Sequence, residues 1–140
     1  MREPVMRKRI LIVDDDEQLR DAMRIIAESE GWTAETADGF DGFRDSYRRF
    51  KPRFIVLDLA MPDCDGSDLI RYLGENKATA TILIISGQEQ AVLESVWHLG
   101  QASGLRMAGY LSKPFPQSQL VAALNGGAPV FPDGICSLTR

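Results

Sequence analysis

Five short apolar runs, each followed by an amphipathic stretch, most constrain what this chain can fold into. Ile10 to Val13, Thr33 to Thr36, Phe54 to Leu57, Ile82 to Ile85 and Gly109 to Leu111 read as strands, the second being the weakest. Such runs, nearly continuous in hydrophobicity, suit strands covered on both faces, as in a parallel sheet. The intervening stretches carry helical stripes. Leu19, Ala22, Met23, Ile26 and Ala27 form the first, and Phe40, Phe43, Tyr47 and Phe50 the second. Leu69, Ile70 and Leu73 form the third, Val92, Val96 and Leu99 the fourth, and Leu120, Ala123 and Leu124 the fifth. Asp16 and Glu17 open the first helix, where acids suit the positive end of its dipole. Ser67 and Asp68 are candidates to cap the third. Five strands alternating with five helices predict an open α/β sheet built by right-handed crossovers.

The 140 residues are enough for one domain with its own core and need no disulfide or metal staple. We expect a flexible N-terminus over 1–8, one domain over 9–125, and a tail or linker over 126–140, after Asn125-Gly126-Gly127-Ala128-Pro129 breaks the helical pattern. The net charge of -4 disfavours a general nucleic-acid or anionic-membrane binder, which needs a basic face. The apolar run after the basic start is shorter than the roughly 7–15 residues of a secretory signal. Cys64 and Cys136 are too few and too far apart for a disulfide framework or zinc knuckle. A soluble, cytoplasmic protein with reduced thiols is expected.

In an open parallel sheet, chemistry collects beyond the carboxyl ends of the strands. The first run ends in Asp14-Asp15, the third in Asp58, the fourth in Ser86, and the fifth leads to Lys113; the second offers only Thr36 and Asp38. Three carboxylates, one hydroxyl and one ammonium therefore converge on one edge. Carboxylates held together repel unless they share a cation, and oxygen-only ligands suit Mg²⁺ or Mn²⁺. A carboxylate is also a nucleophile toward phosphorus, and phosphoryl transfer asks chiefly for positioning and charge neutralisation. No glycine-rich phosphate loop follows the first strand, and the acids there would repel a nucleotide.

In order along the chain, Ile10-Leu11-Ile12-Val13-Asp14-Asp15-Asp16-Glu17, Ile55-Val56-Leu57-Asp58-Leu59-Ala60-Met61-Pro62-Asp63-Cys64-Asp65-Gly66, Ile84-Ile85-Ser86-Gly87 and Gly109-Tyr110-Leu111-Ser112-Lys113-Pro114-Phe115 resemble the receiver domain of two-component response regulators. The resemblance spans residues 8 to about 125. It implies a flavodoxin-like (βα)5 sandwich: a five-stranded parallel sheet in the order 2-1-3-4-5, with helices on both faces. It implies that Asp58 accepts a phosphoryl group from a histidine kinase or histidine phosphotransfer protein in a Mg²⁺-dependent step. Asp14, Asp15, Asp58 and the Ala60 backbone carbonyl would hold the metal, Asp14 mainly through water. Ser86 and Lys113 would contact the phosphoryl oxygens, Tyr110 matches an aromatic switch that turns inward, and Pro114 is a candidate cis-peptide residue. On this reading the chain is a signalling phosphoacceptor that assists its own phosphorylation and dephosphorylation, not a turnover enzyme. Its output would run through a C-terminal domain or a separate protein, or through homodimerisation on the face near the fourth helix, fifth strand and fifth helix. No direct contact with nucleic acid or membrane is implied.

Two alternatives stand beside it. One is a phosphate-independent interaction domain, disfavoured because every residue of the expected site is present. The other is a small metal-dependent phosphatase with Asp58 as nucleophile, which needs a general acid and a substrate cap that the sequence does not offer. The chain departs from the usual receiver in one place. Twenty-seven positions separate Ser86 from Lys113, several more than usual, which predicts an extended fourth helix or exit loop. Gly104-Leu105-Arg106-Met107-Ala108-Gly109-Tyr110-Leu111 and the ending Ser137-Leu138-Thr139-Arg140 resemble receivers joined to EAL-type cyclic-di-GMP phosphodiesterase domains. His98, the only histidine, reads as a solvated helix position, and Cys64 as an unactivated thiol. Leu93 and Trp97 read as core or, if exposed, as a partner surface.

Overall fold

A computed structural model describes residues 8–132, so Cys136 and the segment Ser137 to Arg140 lie outside the described residues. The elements run β1 (Arg9–Val13), α1 (Glu17–Ser29), β2 (Thr33–Ala37), α2 (Phe40–Phe50), β3 (Phe54–Asp58), α3 (Gly66–Glu75), β4 (Thr81–Ser86), α4 (Gln90–Ala102), β5 (Arg106–Ser112) and α5 (Gln117–Asn125). One sheet of parallel strands has the order β2-β1-β3-β4-β5. After β1 the chain builds outward to β2, then returns across β1 to add β3, β4 and β5 on the other side. The crevice between β1 and β3 is therefore the point where the winding reverses, and their carboxyl ends flank it.

Alternate residues along each strand feed opposite cores. Leu11, Val13, Ile55, Leu57, Ile82 and Ile84 meet Phe43 of α2, Leu69, Ile70 and Leu73 of α3, and Leu93 and Val96 of α4. Ile10, Ile12, Phe54, Val56, Leu83 and Ile85 meet Met23 and Ala27 of α1 and Leu120, Ala123 and Leu124 of α5. Burial on both faces explains why these strands read as continuous apolar runs. Edge strand β2, which reads Thr-Ala-Glu-Thr-Ala, is half-buried. There Glu35 accepts from the buried Ser46 hydroxyl (2.8 Å) and pairs with Arg49, which together hold its carboxyl below the ordinary range.

Local signals place the helix ends. Asp16 caps α1, its side chain accepting from the Gln18 and Leu19 N–H groups, with Glu17 in the first turn. The N-cap of α3 is Asp65, and Asp68 helps to cap as expected: Asp65 accepts from the Asp68 N–H, and the Asp68 side chain accepts in return from the Asp65 N–H. A reciprocal box of this kind satisfies two otherwise orphaned backbone donors.

One expectation is corrected in the second half of the chain, and two are made more precise. The face that α4 buries is Leu93, Val96 and Gly100, whereas Val92 and Leu99 are exposed. The stripe is turned because Leu93 and Trp97, the pair left open in the sequence, take the inward side. The stretch before Lys113 holds α4, its exit turn from Ser103 to Leu105, and the seven-residue β5, whose register against β4 shifts between Ile82 and Leu83 so that Ala108 is the extra residue of a bulge. The segment read as a tail begins by folding back, with Val130 bridged to Gly109 and Phe131 buried. No helix among the described residues is long and apolar enough to cross a membrane.

The turned stripe gives a direct comparison. Leu93→Ala should cost about 2–5 kcal/mol in denaturant unfolding, as for a fully buried leucine. Leu99→Ala should stay within about 0.5 kcal/mol. Equal losses at the two positions would contradict the orientation of α4.

Candidate functional site

Four strand ends meet at one edge of the sheet. Asp14 follows β1, Asp58 closes β3, Ser86 closes β4, and Lys113 comes one residue after β5. Asp14 and Ser86 are fully buried and Asp58 is 1% exposed. Asp15, next to Asp14, is exposed and faces the opening. Backbone bonds continue the sheet into the site: Asp14 N–H donates to the Ala37 carbonyl (3.1 Å), Leu59 N–H to Ile85 (3.1 Å) and Lys113 N–H to Ser86 (2.8 Å). Arg20 of α1 ties down the first loop by donating to the Asp14 carbonyl oxygen at 2.8 Å.

The buried polar side chains share one local device. Asp14 Oδ1 accepts from the Asp16 N–H (2.8 Å), Asp58 Oδ1 from the Ala60 N–H (3.0 Å), and Ser86 Oγ from the Gln88 N–H (2.9 Å). Each is a bond to the backbone two residues on, the turn that short polar side chains favour. It fixes one carboxylate oxygen and leaves the other free for the pocket. Lys113 Nζ lies 2.9 Å from Asp14 Oδ2 and 3.3 Å from Asp58 Oδ2, so one ammonium bridges the two free oxygens. The Lys113–Pro114 bond that follows is cis.

One ammonium does not balance the site. Ligand oxygens of Asp14, Asp15 and Asp58 all lie within 4.8 Å of one another. Like charges about 4 Å apart repel by roughly 4 kcal/mol in surroundings of intermediate polarity. Burial, helped by Asp14, accordingly pushes the Asp58 carboxyl above its ordinary pKa, while the Ala60 N–H and Lys113 offset only part of the rise. For Lys113, burial works against the charge, yet Asp14 and Asp58 outweigh it and hold the ammonium above the ordinary lysine value. Three oxygen donors, one of them open to solvent, with a residual negative charge, fit a hard divalent cation that retains water. Ala60, expected to lend its carbonyl, is exposed beside Asp58.

Other residues fall where their chemistry is quiet. Thr36 and Asp38 sit at the end of edge strand β2, and Asp38 is not one of the acids that cluster. His98 is exposed on α4. Cys64 is half-buried, and burial together with Asp63 pushes its thiol up to about 11, so it is not activated. Tyr110 is buried, its hydroxyl 3.2 Å from Glu94 Oε2 and its ring edge-on to Trp97 and Phe131. Glu94 and Phe131 carried no sequence signal for these contacts, because each is made across elements that the local pattern does not connect.

Comparison with known proteins settles the family. The response regulator receiver domain model matches residues 10–125. The chain belongs to the response regulator receiver domains. It is 32% identical over 119 residues to the transcriptional regulatory protein TrcR of Mycobacterium tuberculosis, covering 84% of this chain and 44% of TrcR. It is 31% identical over 124 residues to the chemotaxis protein CheY of Thermotoga maritima, covering 86% of this chain and 97% of CheY. The signal receiver domain of a response regulator from Bermanella marisrubri superposes with a TM-score of 0.71 at 32% identity, covering 84% of this chain and 95% of that one. The chain thus spans less than half of TrcR and nearly all of CheY. It is a flavodoxin-like receiver of two-component signalling, and the order β2-β1-β3-β4-β5 is the one the resemblance implied.

The raised pKa of Asp58 has a consequence for the receiver's stability. The folded protein binds this proton more tightly than the unfolded chain, so stability falls as pH rises from 3.8 through the folded value. Asp58→Asn removes that penalty and leaves Lys113 paired with Asp14. At pH 7 with chelator present, the variant should melt a few degrees above the native protein, and the gap should close near pH 4. A native protein that melts higher under those conditions would contradict the charge balance described above.

Proposed function

We propose that Asp58 is the phosphoacceptor and that Asp14, Asp15 and Asp58, with the Ala60 carbonyl, form the Mg²⁺ site that its phosphorylation requires. The observation that carries this reading is the Lys113 ammonium bridging two buried carboxylates whose other oxygens are already held by backbone N–H groups. The donor is a phosphohistidine on a histidine kinase or phosphotransfer protein. A carboxylate oxygen of Asp58 forms a bond to phosphorus as the phosphorus–nitrogen bond breaks, and the electron pair returns to the imidazole, which then takes a proton. A divalent cation in the acidic cluster would supply positive charge for the equatorial phosphoryl oxygens.

The chain supplies the rest. Asp58 is fixed by its turn with Ala60 and by the ladder bond from Leu59 to Ile85, so little motion is lost on attack. Lys113, already 3.3 Å from Asp58 Oδ2, pairs with one oxygen of the incoming group. The Ser86 hydroxyl, buried at the end of β4 and accepting from Gln88 through its oxygen, keeps its proton to donate to another. The chain is then a phosphoacceptor rather than a turnover enzyme, and the exposed His98 on α4 does not serve as a general acid in the pocket.

Incubation with Mg²⁺ and acetyl phosphate should add one phosphoryl mass to the intact protein and none to Asp58→Asn. Lys113→Met should slow the addition by about 100-fold, as for loss of a charge-stabilising donor. An intact protein that takes up no phosphoryl group, or Asp58→Asn labelled like the native chain, would overturn the reading.

A further inference from the structure

Beyond α5 the chain turns at Gly126-Gly127 and runs back along the open edge of β5. Val130 N–H donates to the Ala108 carbonyl (2.9 Å), and Tyr110 N–H donates to the Val130 carbonyl (3.0 Å). Gln119 of α5 adds its Nε2 to the carbonyls of Phe131 (3.2 Å) and Pro132 (3.1 Å). The Phe131 ring is buried, its centroid 5.0 Å from Tyr110 and 5.4 Å from Trp97 of α4, edge-on to both. Residues 128–132 therefore form a strap that crosses the sheet edge between α4 and α5.

The receptor for this strap is built into β5. Ala108 is the extra residue of the bulge and has no partner in the β4 register, and its carbonyl is the one that Val130 takes. The next residue, Gly109, has φ +117, and a Cβ there would overlap the Val130 carbonyl. Only glycine lets the strap approach this closely. The lengthened segment between Ser86 and Lys113 thus has a visible use: it makes the seat for the returning chain.

The same strand delivers Lys113 to the acidic pocket, three residues beyond Tyr110. Two backbone bonds and an aromatic cluster in the middle of β5 restrict its motion. A strand that is already ordered has less freedom to lose when an anion engages its lysine. We propose that docking of residues 128–132 on Gly109 and Tyr110 preorganises Lys113, so that strap closure and binding of a phosphoryl group at Asp58 reinforce each other. This regulation rests on the reading of Asp58 as the phosphoryl site. The coupling is reciprocal, because it is one free energy shared by two equilibria.

The probe is beryllofluoride with Mg²⁺, a phosphoryl mimic that binds at equilibrium, applied to the full chain. Hydrogen exchange of the Tyr110 amide, whose acceptor is the Val130 carbonyl, reads opening of the strap. Phe131→Ala removes the aromatic anchor, and Gln119→Ala loosens the strap while leaving the core intact. Both variants should speed Tyr110 exchange in the ligand-free protein and weaken beryllofluoride binding at least threefold, Phe131→Ala the more. Saturating beryllofluoride should slow Tyr110 exchange in the native chain at least threefold. Variants that open the strap yet bind as tightly as the native chain overturn the proposal. So do variants that leave Tyr110 exchange unchanged, and so does a saturated native chain with unaltered exchange. A native chain that binds no beryllofluoride overturns instead the phosphoryl-site reading, and the coupling falls with it.

Discussion

The ammonium of Lys113 between Asp14 and Asp58 is the interaction on which the rest of this receiver depends. Two carboxylates buried this deeply are costly unless paired and hydrogen-bonded. The fold meets the cost with one cation and two backbone N–H groups, and leaves Asp15 exposed at the rim. The arrangement is incomplete by design of the sequence: three acids and one lysine keep a negative balance at the mouth of the crevice. A pocket in that condition favours a divalent cation and, with the cation in place, an anionic phosphoryl group. The β-sheet order follows the same requirement, because it sets the ends of β1 and β3 side by side and brings β4 and β5 in on one flank.

Most of this was legible in the sequence because it is written in residues whose meaning is local. An apolar run buried on both faces has no polar alternation, so β1, β3 and β4 stood out, and the residue after each run was bound to lie at one edge of the sheet. Asp14, Asp58 and Ser86 could be named for that reason, whereas Lys113, two residues past the fifth run, was picked out with the help of Tyr110 before it and Pro114 behind it. That Asp16 and Glu17 open α1 was equally visible, since acids suit the positive end of a helix dipole, and the structure makes Asp16 its N-cap.

What escaped was decided between elements. In α4, Val92, Val96 and Leu99 have the right spacing for a buried stripe, and so do Leu93, Val96 and Gly100. Only packing against β5 and Phe131 selects the second, because Trp97 finds Tyr110 and Phe131 on that side. The bulge at Ala108 and the docking of Val130 are likewise long-range choices. Gly109 read as an ordinary strand residue until the strap showed why a side chain is excluded there. The surplus of residues before Lys113 was visible as a length, but its purpose required the partner segment.

The central claim is that one carboxylate among the three, Asp58, carries the phosphoryl group, and that the other two serve the metal. Borohydride reduction after treatment with Mg²⁺ and acetyl phosphate converts an aspartyl phosphate to homoserine, which peptide sequencing by mass spectrometry locates. The account predicts homoserine at position 58 alone, and none when Mg²⁺ is chelated. Homoserine at Asp14 or Asp15, or conversion that is indifferent to Mg²⁺, would contradict it.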